Sequence, residues 1–349
     1  MNKLWLLVLL GALVFVQGCF HSSTENKDAS INISSMEHVK KGQSFVENKQ
    51  YEDAIVEYSN AIKKDPSNAQ AFYERGRAYL KIQDNEKGIN DFTQAIKLKP
   101  DIYLGYYARG ITYLNTKEYD KALEDLNAVI SLSPSYMPAF VNRGIVNAAK
   151  NDFDAAIKDF NDAINLAASD SSIYERRGAV YYTMKKYGES KADFSRAILL
   201  NPQSAFAFLR RAGIYVIEEQ YDLAIDDYSQ AIELRPDDYG TLVRRAMVYE
   251  STNQYQLALE DYNSAIDIKP DLSVAFNNRA YVYIELGEHQ LALDSVDKAI
   301  SIVPKAGYVD TRGDVYKTMQ ESVLMCKDYK TACDLGLDIS CQKISENCL

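Results

Sequence analysis

Histidine is nearly missing from this 349-residue chain, with only His21, His38 and His289 present. The three lie far apart. No serine nucleophile elbow, phosphate-binding glycine loop or HExxH accompanies them. Carboxylates are abundant, but a histidine-based acid, base or metal ligand set has nothing to build on, so the chain reads as non-enzymatic, without metal or cofactor. A basic surplus is lacking too. The formal net charge is -10 and the pI about 5.0, which argues against a nucleic-acid partner, because a phosphate backbone calls for a basic face. No apolar run reaches the roughly 20 residues a membrane-spanning helix needs. The N-terminal run Leu4 to Val16 has only thirteen uncharged, mostly apolar residues.

What the chain does have is a period. Arg75, Arg109, Arg143, Arg177, Arg211, Arg245 and Arg279 follow one another at a single constant interval. With this arginine at position 7, position 8 is always small (Gly42, Gly76, Gly110, Gly144, Gly178, Ala212, Ala246, Ala280). Position 32 is proline in seven of eight units, and Ala168 is the exception. One unit, Ala205 to Asp238, shows the content: Phe208, Ala212 and Tyr215 at i, i+4, i+7, then Ala224, Tyr228 and Ala231 at the same spacing. Each set is one apolar stripe on a helix. Glu218 to Gln220 break the two apart, and Pro236 stops the second.

Neither helix of such a hairpin can bury its stripe alone, but stacked copies can. Small residues at 8, 20 and 27, aromatics at 4, 11 and 24 and proline at 32 resemble the tetratricopeptide repeat, whose unit is about 34 residues long. The resemblance implies an all-α fold, a right-handed α-solenoid of stacked helix-turn-helix units. Eight units follow: 35–68, 69–102, 103–136, 137–170, 171–204, 205–238, 239–272 and 273–306. The length suits such an array, since a solenoid grows by adding units that contact mainly their neighbours. Most of the 26 tyrosines fall in repeat columns and read as packing. The fourth unit departs furthest, with Pro138 in its first turn, Asn147 in an aromatic column and Ala168 without the stop. Its second helix is expected to run on towards Ser169 and Asp170.

An acidic column accompanies the arginines: Glu57, Asp91, Asp125, Asp159, Asp193, Asp227, Asp261 and Asp294. These are expected to form structural ion pairs, since arginine suits partly buried bidentate pairing. Two registers are open. Every arginine has an acid in the preceding repeat, as Arg211 has Asp193, and all but Arg279 have one in their own, as Arg211 has Asp227. The spacing favours the pairing between repeats.

In tetratricopeptide proteins, positions 2, 5, 9, 12 and 13 line the concave face. Carried over, these give Tyr73 and Arg77, then Leu104, Tyr107, Ile111, Leu114, Val141 and Ile145, then Tyr182, and then Phe206, Leu209, Val216 and Ile217. Gln70, Lys81, Ser172, Glu175 and Thr183 add polar positions. The resemblance implies a groove for an extended or helical partner peptide; packing of some of these residues against neighbouring repeats is the other reading. Position 5 is never Lys and position 9 never Asn, so the groove lacks the pattern that grips chaperone C-terminal carboxylates.

After Pro304 the register slips by one, so that Arg312 stands one position short of the arginine column. Residues 307–349 read as a partial ninth unit and a cysteine-rich helical hairpin turning at Gly336. Cysteines 326, 333, 341 and 348 are spaced by 7, 8 and 7. In an antiparallel hairpin this predicts nested disulfides, Cys333 with Cys341 and Cys326 with Cys348. A zinc site and free thiols are the alternatives.

At the other end, Lys3, the thirteen-residue run and Val16-Gln17-Gly18-Cys19 resemble a bacterial lipoprotein signal, here residues 1–18, with Gln17 where a small residue is usual. Ordinary signal cleavage near Cys19 is the other reading. Cys19 would then be acylated, residues 19–34 would be a flexible tether, and Phe20 implies the outer membrane, facing the periplasm. The resemblances together imply a non-enzymatic scaffold binding envelope proteins, of the kind that serves pilus or secretin assembly or adapts cell-wall enzymes. The alternatives are a carrier or sensor of a small anion on the arginine ladder, or a self-associating spacer. Metabolic labelling with palmitate tests the anchor: labelled wild type and unlabelled Cys19→Ala are expected, and equal labelling of both would remove it.

Overall fold

The computed structural model describes residues 33–348. The expected signal, Cys19 and most of the tether lie outside the described residues; positions 33 and 34, assigned to the tether, already belong to the first helix. Among the described residues there is no strand, and no helix is long and apolar enough to cross a membrane. The chain divides into two compact units, Met1–Ala168 and Ser169–Leu349. The first holds α1 (33–47), α2 (Tyr51–Lys64), α3 (Ala69–Lys81), α4 (Asn85–Leu98), α5 (Tyr103–Asn115), α6 (Tyr119–Leu132), α7 (Met137–Ala149) and α8 (Phe153–Leu166). The second holds α9 (Ser171–Thr183), α10 (Tyr187–Leu200), α11 (Ala205–Ile217), α12 (Tyr221–Leu234), α13 (Tyr239–Ser251), α14 (Tyr255–Ile268), α15 (Ser273–Glu285), α16 (His289–Ile302), α17 (Ala306–Thr318), α18 (Ser322–Asp334) and α19 (Asp338–Asn347).

Each unit is a stack of antiparallel helix pairs, and the turn within each pair is the same. Position 15 is left-handed every time: Lys49, Gln83, Lys117, Asn151, Lys185, Glu219, Asn253, Gly287 and Gln320 all have φ between 58° and 75°. In the third repeat, Lys117 donates to the Leu114 carbonyl (3.0 Å) and Glu118 to the Tyr113 carbonyl (2.8 Å). This is the reversal that satisfies the last carbonyls of a helix. The apolar stripes meet inside: Ala122, Leu126 and Val129 of α6 are fully buried, as are Ala224 of α12 and Ala265 of α14. Position 8 must be small because the partner aromatic lies on it. A Cβ added at Gly144 would stand 2.9 Å from the Phe160 ring.

The fourth repeat corrects one expectation. Its second helix does not run on: α8 ends at Leu166, and Ala167 turns extended (φ -147°, ψ 71°) while donating to Ala163. Lys99 and Ser133 take the same form before a proline. The stop is therefore made by the backbone at position 31, which the proline reinforces and does not create. Asp170 then caps α9, accepting from the Ser172 amide at 3.0 Å.

The ion pairs correct a second. They form within each repeat, not between repeats. Arg211 Nε donates to Asp227 Oδ2 (2.7 Å) and Nη2 to Oδ1 (2.8 Å). The same fork joins Arg75 to Asp91, Arg109 to Asp125, Arg143 to Asp159, Arg177 to Asp193, Arg245 to Asp261 and Arg312 to Asp328. The preceding repeat offers a different group, two residues beyond its own acid and so about 200° around the helix. Arg211 Nη1 reaches Ser195 Oγ at 3.0 Å, and Arg75, Arg109, Arg143 and Arg245 reach Ser59, Thr93, Asn127 and Ser229. Glu57 thus serves Lys41 (2.6 Å) and His38 (2.7 Å) of its own repeat, not Arg75. In the eighth repeat the column position is Ser295, not Asp294; Arg279 donates to Ser295 at 3.2 Å, while Asp294 is held by Gln290.

The C-terminal pairing is the nested one. Cys326 joins Cys348 and Cys333 joins Cys341, with Cα separations of 5.6 and 4.9 Å. They bind α19 to α18, and Ser340 and Lys343 tie it to Asp310 of α17 at 2.6 and 2.9 Å.

Asp227 is 5% exposed, so Asp227→Ala should leave a half-buried guanidinium without its carboxylate and cost about 3 kcal/mol. The double variant Arg211→Met with Asp227→Leu removes both charges and should recover most of that loss. Urea unfolding of the three proteins measures it, and a double variant no more stable than the single would contradict the assignment.

Candidate functional site

The first unit has an open cleft of about 360 Å³ on α3 and α5. Its lining is Tyr73, Glu74, Arg77, Ala78, Leu80, Lys81, Tyr107, Ala108 and Ile111, with Val46 of α1 at the margin. Helical spacing explains why these side chains meet: 73, 77 and 80 lie on one face of α3, and 107 and 111 on the matching face of α5. Tyr73 packs on Phe92 (5.9 Å) and carries the Arg77 guanidinium over its ring (5.7 Å). Arg77 also pairs with Glu74 at 3.1 Å. Burial nevertheless holds the Glu74 carboxyl above its usual range, as desolvation disfavours the charged form. Tyr107 is fixed edge-on against Tyr136 (5.1 Å) and accepts from Asn142 Nδ2 (3.1 Å). The result is an apolar wall with two cations at its rim.

In the second unit a smaller cleft of about 120 Å³ is lined by Tyr182, Leu209, Arg210, Gly213, Tyr228 and Arg244. Here aromatic and aliphatic surface again stands beside two cations. Burial pushes the Tyr228 hydroxyl above its ordinary pKa, opposed by the nearby Arg244.

Of the residues expected on the concave face, Tyr73, Arg77, Tyr107 and Ile111 are brought together in the first cleft, and Tyr182 and Leu209 in the second. Leu114 is half-buried and packs on the core of the third repeat, and Val216 on that of the sixth. Phe206 lies against Phe194 at 6.2 Å. Leu104, Val141 and Ile145 are half-buried and line neither cleft, and Ile217 is exposed. Glu74, Arg210 and Arg244 were missed because they stand at position 6, one residue outside the expected set. For the two arginines the signal was present in the doubled arginines 210–211 and 244–245; Glu74 carried none. His38 is taken up by Glu57, and His289 Nδ1 lies 3.1 Å from the Thr318 hydroxyl.

Family models described as tetratricopeptide repeat match residues 73–137, 107–173, 175–239 and 215–273, and another 274–305; one described as TPR repeat matches 42–83. Curated protein sequences give no match. Among solved structures, pilF of Pseudomonas aeruginosa aligns with a TM-score of 0.52 at 17% identity, over 64% of this chain and 99% of that one. A tetratricopeptide repeat protein from Parabacteroides merdae gives 0.51 at 17%, over 71% and 99%. YrrB, described as a TPR protein with an unusual peptide-binding site, gives 0.49 at 24%, over 54% and 96%. At these identities the likeness is one of fold.

Tyr58 of α2 is fully buried, and its hydroxyl finds no partner among the described residues. Burial, with the Glu74 carboxylate adding to it, pushes this phenol up to about 12. Because an unpartnered buried hydroxyl costs about 1–3 kcal/mol, Tyr58→Phe should be neutral or stabilising in thermal unfolding. A loss of more than about 1 kcal/mol would show that the hydroxyl is bonded in solution.

Proposed function

This chain belongs to the tetratricopeptide repeat family, and from that premise we propose that it is a non-enzymatic adaptor of the bacterial cell envelope whose inner helix faces hold a segment of a partner protein. The fold is an interaction scaffold, generally without catalysis. The observation that carries the peptide reading is the first cleft: Tyr73, Tyr107 and Ile111 form a partly exposed apolar wall beside the charged rim of Arg77 and Lys81. A cleft of that composition suits a side-chain anchor on an extended or helical peptide, with polar groups fixing its direction.

Two features support the envelope. The N-terminal sequence resembles a lipoprotein signal with Cys19 as the acylated residue, and two disulfides staple the C-terminal helices, as suits an oxidising compartment. We place the protein at the outer membrane facing the periplasm, held by its lipid. Pilus assembly, secretin assembly or adaptation of a cell-wall enzyme are the jobs open to such a scaffold. The small-anion reading loses the ladder it rested on, because column arginines from Arg75 to Arg245 are engaged with carboxylates of their own repeats.

Site-specific photocrosslinking in cells tests the proposal, with probes at Tyr107 and Leu209 and a control at the exposed Lys158 of α8. A discrete envelope protein captured from the first two positions and not from the third is the expected result. Capture of nothing, or of the chain itself from all three, would sink the adaptor reading.

A further inference from the structure

The second unit carries a second arginine ladder that no packing role explains. Arg176, Arg210 and Arg244 repeat at the interval of the column, each immediately before a column arginine. Their neighbours Arg177, Arg211 and Arg245 are half-buried and forked onto carboxylates, whereas Arg176, Arg210 and Arg244 are exposed. Among the described residues none of the three stands in an ion pair, and Arg210 lies 5.0 Å over the Phe206 ring. Arg210 and Arg244 face the same cleft, beside Leu209, Tyr182 and Tyr228. Its floor includes Gly213, where an added Cβ would meet nothing within 4 Å. Packing therefore does not demand the glycine, and it leaves room above the backbone. Position 6 is Lys40, Glu74, Ala108 and Asn142 in the first four repeats and Asn278 in the eighth. The ladder is confined to repeats five, six and seven.

We propose that this ladder selects the partner: the groove of the second unit binds an extended, acidic peptide segment with one carboxylate per repeat and an apolar residue seated on Leu209, Tyr182 and Tyr228. The inference deepens the adaptor reading and rests on it. Three cations in line, on a chain whose net charge is -10, make a local field opposite in sign to the whole. That field attracts an acidic segment and orients it. An extended segment in polyproline II returns to the same side every three residues, so carboxylates at every third position form one row that faces the ladder. Nucleic acid fits less well, since its phosphates follow one another at about 3.4 Å of rise per strand and the rest of the chain repels them.

The test uses the full chain and a fluorescein-labelled ten-residue peptide bearing Glu at every third position among Pro and Leu, read by fluorescence anisotropy. Its Lys-for-Glu counterpart is the control. The acidic peptide should bind saturably, more weakly as salt rises. Replacing all three arginines (Arg176→Ala, Arg210→Ala, Arg244→Ala) should weaken binding about 30-fold, at about threefold for each exposed pair. The corresponding triple Lys variant should retain most of the affinity. Because all three side chains are exposed, the thermal midpoint should stay near that of the wild type; if it falls, Arg244→Gln alone is the readout, with about a threefold loss expected. The inference is overturned by any one of four results: no saturable binding, equal binding of the Lys peptide, wild-type affinity in the triple Ala variant, or tighter binding of a twelve-nucleotide single strand. Crosslinking from Leu209 separates this from failure of the adaptor reading. A partner captured equally by the wild type and the triple Ala variant overturns the ladder and leaves the groove. No capture in either overturns both.

Discussion

One guanidinium holds three helices together, and the stacking of the repeats depends on it. In the sixth repeat, Arg211 of α11 forks onto Asp227 of α12 and extends its remaining arm to Ser195 of α10, in the repeat before. The fork fixes the pairing inside a hairpin and the third bond fixes how one hairpin sits on the previous one. Apolar stripes alone would not do this, because contact between alanines and aromatics is non-directional and tolerates sliding. The hydrogen bond to Asp227 raises the Arg211 pKa despite burial. In the eighth repeat Ser295 replaces the acid, and burial alone lowers Arg279. That repeat keeps the link to Asn263 at 2.6 Å, so the bond between neighbours persists where the bond within the hairpin weakens.

The pattern changes in the first repeat and at α18 and α19. In the first repeat Lys41 and His38 stand in for the arginine and hold Glu57, while Ser35 closes onto the Ala61 carbonyl at 2.9 Å. At the C-terminus α19 is too short to be a full partner for α18. Two disulfides and the Lys343 bonds to Asp310 and Asp314 secure it. Covalent links at that site compensate for the apolar area that so short a helix lacks.

The columns that vary most between repeats supply the side chains that line the two clefts. Positions 8, 20, 24 and 27 are bound to the interior in every repeat; 8, 20 and 27 stay small, and 24 stays apolar, from Val296 to Tyr262. Positions 6 and 9 are exposed or half-buried in every repeat and differ from one to the next, while position 5 is half-buried in repeats two to six and buried at Val39, Val243 and Asn277. The first unit fills them with Tyr73, Arg77, Tyr107 and Ile111, the second with Leu209, Arg210, Gly213 and Arg244. A single scaffold can in this way present an apolar wall in one unit and a cationic one in the other.

The repeat and its helices were determined by the sequence alone, because each rests on local spacing: a constant unit length, three or four positions per helical turn, a small residue wherever an aromatic ring must land. The nested cysteine pairing was the expectation for two helices joined at Gly336, and the structure bears it out. The partner of each column acid was different. Asp227 follows Arg211 and precedes Arg245 by nearly equal stretches of chain, and both separations suit a stack of hairpins. Only the tertiary structure decides, because the way α12 is rotated turns Asp227 inward to α11 and Ser229 outward to α13. The end of α8 at Leu166 was decided in the same way, by backbone at Ala167 that no side-chain signal announces. The position 6 arginines became visible as a surface only once folding had turned Arg210 and Arg244 to one cleft while burying their neighbours Arg211 and Arg245 against carboxylates.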